Sequence, residues 1–195
     1  EAPVEEPKTT ESQNSVPTPQ ETPLEEPKPT PQTNNWKSDG IISQNEYKNS
    51  KDFGNGRYSI YWFNDDEYIH MAIKSQNSGW VSIGFEPTQA MKDADMIFGW
   101  ITSGSPTILD LYSTGLFGPH PPDQQLGGTN DLIETSGSEA EGFTIIEFKR
   151  KLNTGDLYDK AFVKGQNIDI IWGFGSSDNL DSPHISKGSG TIKLD

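Results

Sequence analysis

After Trp36, apolar and polar residues alternate with period two in a series of short runs, and that alternation limits the folding options of the chain more than any other feature. Successive side chains on a strand point to opposite faces, so such runs mark half-buried strands. Residues 58–63 form one run, Asn64, Asp65 and Asp66 supply a turn, and residues 67–74 return, which predicts a hairpin. In the second arm Ile69, Met71 and Ile73 share one face, leaving His70 and Lys74 on the other, where His70 is expected to be solvent-exposed or hydrogen-bonded. Residues 80–85 give a third strand with Val81, Ile83 and Phe85 aligned. Residues 94–102 give a fourth with Met96, Phe98 and Trp100 aligned, and 107–113 a fifth. The polar stretch 115–142 has room for one short strand, near 131–135. Runs over 143–150, 168–174 and 190–194 complete the set, and Ser43 with Glu46 forms a capping box for a helical turn over 43–48. Short strands with frequent turns predict an all-β fold, an immunoglobulin-like antiparallel β-sandwich.

The pattern starts only after a break in composition. Residues 1–35 contain no aromatic residue and no Gly, yet hold eight of the fourteen Pro and seven Glu among Thr, Gln and Ser. Such a segment cannot bury enough apolar surface to offset an ordering cost of roughly 1–2 kcal/mol per residue. It reads as a disordered Pro/Glu/Thr-rich spacer, stiffened toward polyproline II near Pro29 and Pro31. The first aromatic residue is Trp36, so the sandwich is assigned to 36–195. The chain opens at Glu1 without Met, as expected of an exported protein, secreted or held at a surface through an N-terminal anchor beyond the given sequence. A plain interdomain linker is the other reading of the segment.

Charge and residue content exclude several classes of function. Fifteen basic side chains against twenty-nine acidic ones leave a formal charge of −14, which repels nucleic acid and anionic lipid. The same charge suits docking to a basic redox partner. With no Cys, disulfides, thiolate catalysis, iron–sulfur clusters and covalent c-type haem attachment are excluded. No apolar run is long enough to span a bilayer, and there is no nucleophile elbow, zinc-protease motif, EF-hand or P-loop.

Metal-ligand side chains are few. Of three Met, Met71 and Met96 align with large apolar neighbours and read as core packing, whereas Met91 lies in a polar loop. His184 lies in a second polar loop, after Pro183, and His120 in a third, among Pro119, Pro121 and Pro122. A thioether and an imidazole together can hold a haem iron from both sides. Taken singly, a loop Met is ordinarily an exposed hydrophobe and a loop His a solvated one, and His120 competes with His184 as second ligand. Asp93 and Asp95 flank the Met91 loop, where two carboxylates suit turn hydrogen bonds or an exposed polar edge better than a hard cation.

A series of short motifs resembles the DOMON family, specifically its haem b-binding branch, which includes the cytochrome domain of cellobiose dehydrogenase and, more distantly, the haem subunit of ethylbenzene dehydrogenase. The pieces are Gly79, Trp80 and Gly84, then Met91, Asp95 and Met96, then Gly99-Trp100, Asp110 and Gly115. Glu147, Phe148 and Leu152 follow, then residues 170–175 with Trp172, and finally His184. The resemblance spans nearly all of 36–195. It implies an immunoglobulin-like sandwich that binds non-covalent haem b through Met91 and His184, and relays single electrons to a redox partner without substrate chemistry of its own. Trp80, Phe85 and Trp172 are the expected water-excluding neighbours, and Lys92 and Lys187 the partners for the propionates. Some relatives use Lys in place of the His, so Lys187 joins His120 as a substitute iron ligand. Other branches bind sugars without a Met–His pair, so a carbohydrate- or small-ligand-binding module without haem is the alternative. A structural surface domain carried on the spacer is a third.

Overall fold

The computed structural model describes residues 35–195. The proposed spacer lies outside the described residues except for Asn35. Ten strands form two five-stranded antiparallel sheets packed as a sandwich. The first contains β1 (Asn49–Phe53), β2 (Tyr58–Asn64), β3 (Tyr68–Ser75), β7 (Glu134–Ala140) and β8 (Phe143–Lys151), in the order β1-β2-β3-β8-β7. The second contains β4 (Val81–Phe85), β5 (Asp95–Thr102), β6 (Ser105–Tyr112), β9 (Asn167–Gly175) and β10 (His184–Lys193), in the order β10-β9-β4-β5-β6. One short helix, α1 (Asp123–Leu126), follows β6 and ends at Gly127 with φ 96°. Among the described residues no helix is long and apolar enough to cross a membrane.

Alternation sends one parity of each central strand into the core. Ile60 pairs with Ile73, which pairs with Ile146, and Met71 pairs with Phe148 in the first sheet. Ile83 pairs with Ile97 and Trp172 in the second. These side chains meet between the sheets and are buried. The Tyr58 hydroxyl crosses from one sheet to the other and donates to the Ser82 carbonyl at 2.7 Å.

Two strands are less legible from the sequence. β1 and β7 lie at the two edges of the first sheet and are largely polar, so neither shows an apolar alternation. The strand expected near 131–135 is instead β7, displaced toward the hairpin with β8, and β10 begins six residues before the expected 190. The expected helical turn over 43–48 is a non-helical turn. Its capping contact nevertheless forms, with the Ser43 amide donating to the Glu46 carboxylate at 2.7 Å.

Residues 36–48 cover the outer face of the first sheet. The Tyr47 hydroxyl and the Gly40 amide both donate to the fully buried Glu147 carboxylate, at 2.7 and 2.6 Å, and the Trp36 indole donates to Tyr47 at 2.8 Å. His70 was expected to be solvent-exposed or hydrogen-bonded, and this cover rules out exposure. The ring points away from the inter-sheet core but is buried, stacked on Phe63 at 4.3 Å and met edge-on by Trp36 at 4.6 Å.

Burial, aided by the nearby Lys149 charge, pushes the His70 pKa from 6.5 down to about 4. The unfolded chain therefore binds an extra proton between those values, and stability falls as pH drops from 6.5 to 4. His70→Phe is expected to remove roughly 1–2 kcal/mol of that loss, after solvent screening is allowed for. Urea unfolding of both proteins at pH 7 and pH 4.5 measures the difference.

Candidate functional site: a cavity on the outer face of the second sheet

The second sheet is apolar on both faces. On β5, Ile97 and Ile101 point inward while Met96 and Phe98 point outward, and all four are buried. Register places Gly84 and Leu111 beside Met96, Ser82 and Leu109 beside Phe98, and Ile171 and Gly173 one strand further on. The outer face thus carries a second apolar cluster of Trp80, Met96, Phe98 and Leu111, extended by Ile171 and Leu180. A surface of this kind excludes water only if something covers it.

Three loops supply the cover and leave a cavity of about 970 Å³ between themselves and the sheet. That lies at the upper end of the range of about 300–1,000 Å³ for small-molecule and cofactor sites. The loop between β4 and β5 is a tight turn in which Ala90 and Asp93 both have positive φ, 52° and 60°. The Asp93 carboxylate accepts the Thr88 hydroxyl at 2.6 Å and the Tyr112 hydroxyl at 3.3 Å, which fixes the turn. The Met91 amide donates to the Leu116 carbonyl at 3.2 Å, tying this loop to the one between β6 and α1. In the third loop, between β9 and β10, Ser182 accepts the Trp80 indole N–H at 2.8 Å.

Met91, His120, His184 and Lys187, with Trp80, all line this one cavity. Met91 is half-buried in its turn. His184 is exposed and forms the first residue of β10, opposite Gly175, with a bulge before Ser186. Lys187 points to the outer face from the same strand, in register with Gly173. His120 stacks on Phe98 at 5.7 Å, and its Nδ1 is buried without a partner. Burial holds its pKa below the ordinary histidine value, against the opposing pull of Asp181. The lining therefore holds two imidazoles, an ammonium group and the Met91 thioether on its loops and strand head, above an apolar floor that includes the second thioether, Met96. Those N and S donors suit a transition metal such as iron, and the floor suits a large flat apolar group, so the residues fit a haem.

Two expected neighbours are placed differently. Phe85 is not a cavity wall. Its parity on β4 sends it into the inter-sheet core, edge-on to Phe162 at 5.2 Å, while Ser82 on the same strand faces outward. Trp172 is among the lining residues, but its indole belongs to the core and stacks on Tyr58 at 4.9 Å. Met96, expected in the core, is buried in the outer cluster and lines the cavity. The signal was present in the sequence: apolar residues at both parities of β5 mean two buried faces. Phe98 of β5 also lines the cavity, as do Leu116, Phe117 and Leu180, whose loop positions gave no periodic clue.

A family model described as "DOMON domain" matches residues 54–175. Among curated proteins, DBH-like monooxygenase protein 1 of Mus musculus is 26% identical over 145 residues, which are 71% of this chain and 22% of that protein. The protein of the same name from Homo sapiens is 29% identical over 123 residues, 63% of this chain and 19% of that protein. The chain thus spans about a fifth of the length of these relatives. Among solved structures, the cytochrome b domain of pyranose dehydrogenase from Coprinopsis cinerea is similar with a TM-score of 0.53 at 15% identity, covering 74% of this chain and 80% of that one. That likeness is one of fold.

The Trp80 ring lies against two glycines of β9. A Cβ on Gly175 would stand 2.2 Å from the indole nitrogen, whereas one on Gly173 would stand 3.5 Å from the ring, in ordinary contact. Gly175→Ala is therefore expected to cost about 1–3 kcal/mol in urea unfolding, and Gly173→Ala less than about 0.5 kcal/mol. Gly173→Leu should fold and fill part of the cavity, abolishing most of the fluorescence gained by an environment-sensitive apolar dye.

Proposed function

The chain belongs to the DOMON family, and on that premise we propose that it is an extracytoplasmic b-type cytochrome module, relaying single electrons through a haem held by Met91 and His184. One observation carries this reading: two ligand side chains far apart in sequence, each unremarkable in its own loop, line the same apolar cavity. The cytochrome b domain fold found for a dehydrogenase supports it at the level of architecture.

Each residue has a distinct task. Met91 presents its thioether from a turn fixed by Asp93 and by the backbone bond to Leu116. His184 presents an imidazole from the head of β10, where strand pairing limits its motion. Trp80, Phe98 and Leu180 keep water from the floor. Lys187 offers a cation to carboxylate groups at the cavity rim. When bound, haem would supply a one-electron ferric/ferrous couple, and holding it through the Met91 thioether would raise its potential. The −14 formal charge favours docking to a basic redox partner.

Titration of the full chain with haem should give stoichiometric uptake and the sharp reduced bands of a low-spin b-type cytochrome. Met91→Ala and His184→Ala should each abolish those bands, while His120→Ala and Lys187→Ala keep them. Bands that survive His184→Ala but vanish in His120→Ala or Lys187→Ala would transfer the second ligand. A chain that takes up no haem refutes the cytochrome assignment.

A further inference from the structure

The inner face of the second sheet carries charges where apolar residues belong. Asp95 opens β5 opposite Phe85, Asp110 on β6 sits opposite Ile97, and Arg150 projects inward from β8. All three are almost fully buried, as is the Asp159 side chain. Arg150 donates to Asp95 Oδ2 at 2.6 Å, to Asp159 Oδ1 at 3.1 Å and to the Lys160 carbonyl at 3.1 Å, with its guanidinium 5.0 Å from the centre of the Phe162 ring. Those contacts use one oxygen of each carboxylate. Asp95 Oδ1, Asp159 Oδ2 and Asp110 Oδ1 are buried with no partner, and so are both oxygens of the buried Asp123 on α1. Three carboxylates, those of Asp95, Asp110 and Asp159, thus gather around one guanidinium, more acidic groups than a single buried cation balances.

We propose that Asp95, Asp110 and Asp159 bind a hard divalent cation of the Ca²⁺ type, and that this ion braces the two loops walling the cavity. One carboxylate oxygen from each of the three lies within 4.8 Å of the others. Ca²⁺–oxygen bonds of about 2.4 Å put opposite ligands about 4.8 Å apart, so one ion can reach all three. An all-oxygen donor set selects a hard ion, and Ca²⁺ tolerates irregular geometry better than Mg²⁺. The site is chemically distinct from the sulfur and nitrogen donors across the sheet, and it does not depend on haem binding.

Its position couples it to the cavity. Asp95 lies four residues after Met91, with the Ala94 amide donating to the Met91 carbonyl at 3.1 Å. Asp110 and Asp123 lie on either side of the loop that carries Leu116 and His120. Without an ion, burial and neighbouring carboxylates push Asp110 up to about 7 and Asp123 up to about 8.

The test is calorimetric and thermal titration of the chelator-stripped full chain with CaCl₂ at pH 7.5, against NaCl of matched ionic strength. Stoichiometric Ca²⁺ binding is expected, with a rise in melting temperature of roughly 5–10 °C at a hundredfold excess over Kd. Asp110→Asn and Asp159→Asn should abolish the rise, and metal-free Asp110→Asn should melt above metal-free wild type because a buried charge is gone. Ca²⁺ should also slow amide hydrogen exchange in residues 88–94 and 112–122. Absence of Ca²⁺ binding by calorimetry, or a thermal shift that NaCl reproduces, overturns the site. Unchanged exchange in those loops overturns the bracing role.

Discussion

A sheet that is apolar on both faces must be covered twice, and the architecture follows from that requirement. The inner face of β10-β9-β4-β5-β6 is covered by the other sheet. The outer face, with Met96, Phe98, Trp80 and Leu111, has no second sheet to meet. Loops take that role, and loops bring unpaired backbone groups that need partners. The Met91 amide finds the Leu116 carbonyl, Asp93 finds the Ser113 carbonyl, and the Trp80 indole finds Ser182. Irregular cover packs less densely than a sheet, and a cavity remains between it and the floor. Fold and candidate site are in this sense one consequence of the pattern on β5.

The two faces of this sheet also separate two kinds of chemistry. Soft and borderline donors, the Met91 thioether and the imidazoles of His120 and His184, gather outside on loops and a strand head. Hard oxygen donors gather inside, around Arg150, at the end of β5 nearest the Met91 turn. The β4–β5 turn lies between them, with Met91 held by its loop hydrogen bonds and Asp95 four residues further on. The opposite sheet has a separate arrangement, with residues 36–48 pinned to its outer face through Glu147.

Much of the fold was legible in the sequence because buried strands alternate. The central strands β2, β3, β4, β5, β8 and β9 all carry that signal, whereas the polar edge strands β1 and β7 do not. Facing was harder to read than strand existence. Phe85 and Trp80 lie on one strand run and end on opposite faces, and His70 is buried by Trp36, whose contact no local pattern announces. Asp95, read from the sequence as a turn or exposed-edge residue, is instead fully buried with Asp110 and Arg150, because the inward face of β5 is the one opposite to Met96 and Phe98. Their convergence depended on strand order, which parity does not give. Met91, His120 and His184 were legible from residue type as candidates, but only the family resemblance paired Met91 with His184, because long-range loop contacts bring them to one cavity.

Proton NMR of the reduced, haem-loaded protein with isotope-labelled Met methyl groups tests the central claim most directly. A methyl group bonded to a sulfur on the iron lies in the ring current and moves far upfield. One such signal is expected, lost in Met91→Leu and kept in Met96→Leu, which would identify the loop thioether as the ligand. An upfield signal that persists in Met91→Leu, or the absence of any, would contradict ligation by Met91.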